Sequence, residues 1–192
     1  MSSLAVKRGP LTVLALAVAL LSLATSSVRA ESAAGYMQRV ANELIAASRT
    51  GSVQSFASVI RSHADVPSIG LTALGSYASA LPKGDRPAYY NGMINFIARY
   101  AGKEAPKYPV AKAVMVGQSE TGTGATVESR ITLRSGESYD VRWILVKRGA
   151  VYKVRDAEVI GFRMTSFLDT LFQNYISENG GNPKALVLAL NK

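Results

Sequence analysis

Between Ala125 and Val154 the residue pattern leaves the backbone little freedom. Ala125, Val127, Ser129, Ile131 and Leu133 alternate with Thr126, Glu128, Arg130, Thr132 and Arg134. A period of two with one polar side marks an antiparallel strand with one face buried. Tyr139, Val141, Trp143 and Leu145 repeat the alternation, and Tyr152 and Val154 continue it. A one-residue slip would turn a whole apolar set to water, so the faces constrain the turns. A two-residue turn at Ser135-Gly136 sets Ile131 opposite Asp140, which mismatches them. The odd turn Ser135-Gly136-Glu137 sets Ile131 opposite Val141 and Val127 opposite Leu145. A two-residue turn at Arg148-Gly149 brings Tyr152 beside Leu145 and Val154 beside Trp143. The three strands then share one apolar face, and a single apolar sheet face must be covered by another layer.

The preceding segment supplies the cover. Tyr36, Met37, Val40, Ala41, Leu44 and Ile45 recur at helical spacing, and Thr50-Gly51-Ser52 ends the run. Val53, Phe56, Ala57 and Ile60 form the apolar face of a second helix. Pro67 opens a third, Ser68 to Ala80, whose Gly70, Ala73 and Gly75 either admit a close neighbour or leave space. Asp85 and Pro87 start a fourth, Arg86 to Ala101. A first strand follows from Val110 to Gln118. Thr121-Gly122-Thr123-Gly124 is a turn and not a phosphate loop, since no Lys follows. After the strands, Gly161 breaks the sheet. Met164, Phe167, Leu168, Leu171 and Phe172 then lie on one side of a further helix, and Asn182-Pro183 caps a last one. The class is α+β: helices packed on one face of a four-stranded antiparallel sheet, as a single domain.

The start of the chain reads differently. Lys7 and Arg8 precede an uncharged apolar run, Leu11 to Ala24, and Val28-Arg29-Ala30 offers a cleavage site before Glu31. Residues 1–30 have the form of a secretory signal peptide. An uncleaved anchor is the alternative, but the run is shorter than the about 20 residues a spanning helix needs. The mature domain is residues 31–192. It keeps 19 of the 22 Lys and Arg and all 13 Asp and Glu, a net charge of +6. For an exported protein that balance fits an anionic membrane surface better than nucleic acid, or simply solubility. The chain has no cysteine, so disulfides, thiol chemistry and thiolate metal sites are excluded.

Few residues offer chemistry. His63 is the single histidine, with Ser62 and Asp65 nearby. A catalytic triad is defined by geometry rather than adjacency, and a nucleophile elbow is absent, so His63 reads as structural and Asp65 as a cap for the next helix. With one His, a metal site is not expected. Asp156 and Glu158 point the same way on their strand, with Asp156 placed opposite Val141. The reading favoured for Asp156 is acceptance of backbone N–H groups from the following turn. Arg130, Arg134, Arg142, Lys147, Arg148, Lys153 and Arg155 fall mostly on the sheet face away from Trp143. They read as a solvated face, or as a surface for lipid head groups.

Several of these segments, in this order, resemble the MlaC proteins, the periplasmic lipid carriers of the Mla ABC transport system. They are Arg61 to Pro67, Ala73-Leu74-Gly75, Tyr89-Tyr90 with Phe96 and Tyr100, and Trp143-Ile144-Leu145. They continue with Tyr152 to Asp156, Val159-Ile160-Gly161-Phe162, Phe167, and Gly180-Gly181 before Leu186 and Leu190. The segment Met115 to Ala125, rich in Gly and Thr, departs from the family pattern. The resemblance implies an NTF2-like, MlaC-like fold with a pocket for phospholipid acyl chains and no cofactor or catalytic residue. It implies an outer-membrane lipoprotein complex and an inner-membrane ABC transporter as partners, with transient membrane contact. Two acyl chains carry about thirty methylenes, and exposing them costs on the order of 20 kcal/mol, so crossing water requires a shelter. Candidate lining residues are Leu71, Leu74, Phe96, Tyr100, Val127, Ile131, Trp143, Phe167 and Leu171. The alternatives are a carrier of another envelope lipid such as a hopanoid, a small NTF2-like enzyme using His63 or Asp156, and an adaptor with a filled interior.

Overall fold

The structure, a computed structural model, describes residues 31–192. The signal peptide read at residues 1–30 lies outside the described residues. The helices are α1 (Ala33–Thr50), α2 (Val53–His63), α3 (Val66–Leu74), α4 (Arg86–Glu104), α5 (Met164–Glu178) and α6 (Pro183–Leu190). The strands are β1 (Val110–Thr121), β2 (Gly124–Leu133), β3 (Ser138–Arg148), β4 (Val151–Val159) and β5 (Phe162–Arg163). Local chemistry sets several ends. Ser32 accepts the Gly35 N–H and Ser52 the Ser55 N–H, while Gly51 closes α1 with φ 62°. The third helix stops at Leu74, earlier than its apolar pattern suggests, because Gly75 turns to φ 50° and a 3₁₀ turn, Gly75–Ala78, follows.

The sheet is an antiparallel meander in the order β1-β2-β3-β4-β5. It has five strands rather than the four anticipated, the fifth being two residues long. Gly161 does not end the sheet. It is the second residue of a tight turn through which β4 pairs with β5. The predicted faces hold, but the pairing is offset by two residues: Ile131 faces Tyr139 and Val127 faces Trp143. The three-residue turn is Arg134-Ser135-Gly136, closed by the Leu133 N–H on the Glu137 carbonyl at 2.8 Å. This places Gly136, with φ 93°, at the last turn position, where three-residue hairpins need a positive φ.

The β3–β4 turn is Gly149-Ala150, so Tyr152 pairs with Lys147 and Val154 with Leu145. A bulge at Arg155 then shifts the register, and Trp143 faces Ala157. The bulge reconciles Val154 with Ala157, which an unbroken strand would put on opposite faces. It also sets Asp156 opposite Ile144 and not Val141.

Two of the packing regions frame the site, and a third joins Ala47, Phe56 and Ile94 from α1, α2 and α4. The first helix lies on the apolar sheet face, where Tyr36, Met37 and Val40 meet Val127, Leu145 and Tyr152, and Ala41 meets Ile131 and Val141. A second core joins helices alone: Leu74, Tyr89, Met93, Leu168, Phe172, Ile176 and Leu190 from α3 to α6. Full burial of such side chains is worth about 1.5–3 kcal/mol each. Gly70 admits a close neighbour, since a Cβ there would lie 3.0 Å from both Tyr89 and Tyr90, and the Tyr89 hydroxyl donates to the Gly70 carbonyl at 2.8 Å. Among the described residues no helix is long and apolar enough to cross a membrane.

Candidate functional site

Where β4 and β5 run out toward α5, the covering layer leaves a gap. A cleft of about 670 Å³ opens there, walled by Tyr100 of α4, Val159 of β4, Phe162 and Arg163 of β5, and Met164 and Phe167 of α5. Its size lies within the usual range for ligand sites, about 300–1,000 Å³. The walls are mainly apolar and stay in contact with solvent: Tyr100 is 47 % exposed, Phe167 45 %. Their rings pack against each other at 5.9 Å. Large apolar side chains left open around a concavity are a mark of a binding surface.

The position of α5 depends on a contact from outside the helix. Its N-cap is Arg163, which makes no side-chain cap bond. Asp156 of β4 substitutes, accepting the Thr165 N–H at 3.1 Å and the Thr165 hydroxyl at 2.6 Å, together with the N–H of the next residue, Ala157, at 2.9 Å. A carboxylate at a helix N-terminus also suits the helix dipole. Asp156 is thus an acceptor, as expected, but its donors are the neighbouring Ala157 and the first turn of α5 rather than the turn after β4, and these three donors tie the carboxylate to structure.

Of the nine candidate lining residues, Tyr100 and Phe167 border the cleft. Val127 and Ile131 are packed in the sheet core beneath α1, with Trp143 at its edge. Leu74 is in the helical core, and Phe96 packs against that core edge-on to Phe172 at 5.7 Å. Leu71 is half-buried and Leu171 exposed, and neither borders the cleft. Ala157, Val159, Phe162 and Met164 border it without having been singled out. The Arg155 bulge hid Ala157 and Val159 from a simple alternation, whereas the short β5 has too little sequence to read.

His63 is buried in a network unlike the one adjacency suggests. Its Nε2 lies 2.8 Å from Glu43 Oε2 and its Nδ1 3.3 Å from the Tyr36 hydroxyl. A ring giving its Nε2–H to Glu43 leaves Nδ1 to accept from Tyr36. Burial pushes the Tyr36 hydroxyl up to about 12, against the opposing pull of Arg39, whose guanidinium lies 5.2 Å from the ring centre. Asp65 stands at the N-cap of α3 but does not cap it. Its carboxylate takes Arg148 instead, at 2.5 Å, and its N–H donates to the Val154 carbonyl at 2.8 Å. The segment Arg61 to Pro67 is thereby stitched to β4, helped by Lys153 Nζ on the Ser62 carbonyl.

The outer sheet face carries cross-strand ion pairs. Arg130 grips Asp140 with two bonds, at 2.9 and 3.0 Å, and Arg142 meets Glu128 at 2.7 Å. Each pair holds its arginine above the ordinary range, and the bond from Arg130 holds Asp140 below its own. The face is charge-compensated along β2 and β3 rather than uniformly basic.

The described residues thus define an α+β domain: an antiparallel meander under helices, with an apolar cleft beside the sheet's last hairpin. The chain belongs to the MlaC family, whose model, described as MlaC protein, matches residues 34–192. A similar solved structure is that of a phospholipid-binding protein from Ralstonia solanacearum in complex with a phospholipid. It superposes with a TM-score of 0.69 at 19 % identity, covering 83 % of this chain and 95 % of that one. At that identity the likeness is one of fold. No curated protein matches the chain.

Proposed function

We propose that this protein is a phospholipid carrier that holds acyl chain in the cleft between β4, β5 and α5. The observation that carries the reading is the cleft of about 670 Å³ with Tyr100, Phe162, Met164 and Phe167 on its walls. Membership of the MlaC family and the fold shared with a phospholipid-binding protein support it. Hydrocarbon needs only apolar surface and exclusion of water, and the energy at stake is about 0.8 kcal/mol per sheltered methylene. No bond is made or broken in that task, so the protein is not an enzyme.

The wider assignment follows from the same reading. The protein is exported by its leader, works in the periplasm, touches membrane surfaces transiently, and passes lipid between an outer-membrane lipoprotein complex and an inner-membrane ABC transporter. Native mass spectrometry of residues 31–192, purified without detergent, tests the carrier function. Bound phospholipid, or uptake of phospholipid from liposomes, is the expected result. A chain that emerges empty and stays empty after incubation with liposomes contradicts it.

A further inference from the structure

The two most exposed large apolar side chains among the described residues sit on one hairpin: Phe162, 80 % exposed, and Ile160, 76 %. The β4–β5 turn is Ile160-Gly161, between the paired residues Val159 and Phe162. Both turn residues have positive φ, 51° and 79°. Glycine accepts this at no cost, whereas a β-branched residue is strained there, and such turns favour Asn-Gly or Asp-Gly. Ile160 is the one non-glycine with positive φ among the described residues. Fold stability alone would select against it, and strained backbone is held mainly where function requires it.

The surroundings specify the partner. Phe162 is also a wall of the cleft, so the apolar tip is continuous with the mouth through Met164 and Phe167. Cationic side chains stand behind the tip. Arg163 borders both the cleft and an adjoining hollow, where Arg155 joins it. Arg163 and Arg142 share one carboxylate, Glu158, at 3.6 and 3.5 Å, and Arg155 has no ion pair among the described residues. Of these two arginines Arg163 is paired and Arg155 is not, while Asp156 in the same hollow is taken up by Ala157 and Thr165. An apolar tip with guanidinium groups behind it matches the layering of an anionic bilayer surface.

We propose that the β4–β5 hairpin inserts Ile160 and Phe162 into the interfacial layer of an anionic phospholipid bilayer, with Arg155 and Arg163 at head-group level, so that the cleft opens onto the membrane. This rests on the carrier reading and names the element that meets the lipid source.

The absence of cysteine makes the test direct. Ile160→Cys carries an environment-sensitive fluorophore, and Val151→Cys, at the other end of β4, serves as control. With vesicles of phosphatidylethanolamine and phosphatidylglycerol, emission from position 160 shifts to the blue and is quenched by lipid-borne nitroxide, and emission from position 151 does not change. No shift at 160, or a shift only when a protein partner is added, overturns the proposal. Ile160→Asp separates the hairpin from the carrier function, since Ile160 does not wall the cleft. It takes up fluorescent phospholipid from detergent micelles like the wild type but from vesicles at least about tenfold more slowly, as expected for an apolar anchor replaced by a charge. Wild-type rates from vesicles overturn the hairpin's role and leave the carrier reading standing. Loss from both sources also overturns it, by placing the effect in the cleft. A wild-type protein that takes lipid from neither source contradicts the carrier reading itself. Ile160→Gly folds at least as stably as the wild type while losing vesicle insertion, and a marked loss of stability would show that Ile160 serves the fold.

Discussion

Asp156 on β4 holds Thr165 in the first turn of α5, through the backbone N–H at 3.1 Å and the hydroxyl at 2.6 Å. This joins the sheet to the helix that carries Met164 and Phe167 into the cleft. Asp156→Ala leaves a helix N-terminus without its acceptor and should cost about 2 kcal/mol, measured by chemical denaturation. Lipid uptake should fall with the loosening of α5, whereas a catalytic Asp156 would leave stability near wild type.

Trp143 donates its Nε1–H to the Ser129 hydroxyl at 2.9 Å, and Ser129 donates on to the Val141 carbonyl at 3.3 Å. Ser129 is fully buried. Ser129→Ala deprives the indole of its acceptor and should destabilise the fold by about 1–2 kcal/mol. Trp143 is the sole tryptophan, so intrinsic fluorescence reports this site alone, and its emission should shift.

Alkaline unfolding should carry the mark of Tyr36. Burial raises its hydroxyl from the ordinary 10.0 to about 12, so the fold favours the neutral phenol. The corresponding stability is complete below pH 10 and is lost as pH climbs toward 12, because the unfolded chain releases that proton first. Tyr36→Phe should be less stable at neutral pH, having lost the hydroxyl's contacts with His63. It should also show a shallower decline above pH 10. Equal slopes in the two proteins would contradict the assignment.

Substitutions in the cleft should separate binding from folding. Phe167 is 45 % exposed, so Phe167→Asp should change stability by no more than about 1 kcal/mol. Phospholipid uptake should drop at least about tenfold, because a charge would replace apolar wall. Val127→Ala, under α1 at 0 % exposure, should do the reverse: a loss of about 1–3 kcal/mol with uptake retained by the folded fraction.

What could be read in advance divides along physical lines. Side-chain alternation has a period of two, so the apolar face through Val127, Ile131, Val141 and Leu145 was legible. The pairing along that face was not, because a shift of two residues preserves every face, and only Gly136 at the third turn position selects the register. The Arg155 bulge was hidden, since one inserted residue looks like a break in alternation. The cleft was the least legible part. Val127 and Phe167 have the same apolar character in sequence, yet one is sealed beneath α1 and the other faces open space. That difference depends on where the helical layer stops. The helix-only core from α3 to α6 takes up Leu168, Phe172 and Ile176 of α5, and Phe167 on the same helix is left at the cleft.

Site-specific photo-crosslinking addresses the cleft directly. A photoreactive phenylalanine analogue replaces Phe167 at the cleft or, as control, Arg130 on the ion-paired outer sheet face. After incubation with radiolabelled phospholipid vesicles and removal of the vesicles, label should be joined covalently to the protein from position 167 and not from position 130. Label from neither position, or equally from both, would contradict the assignment of the cleft as the place where acyl chain is held.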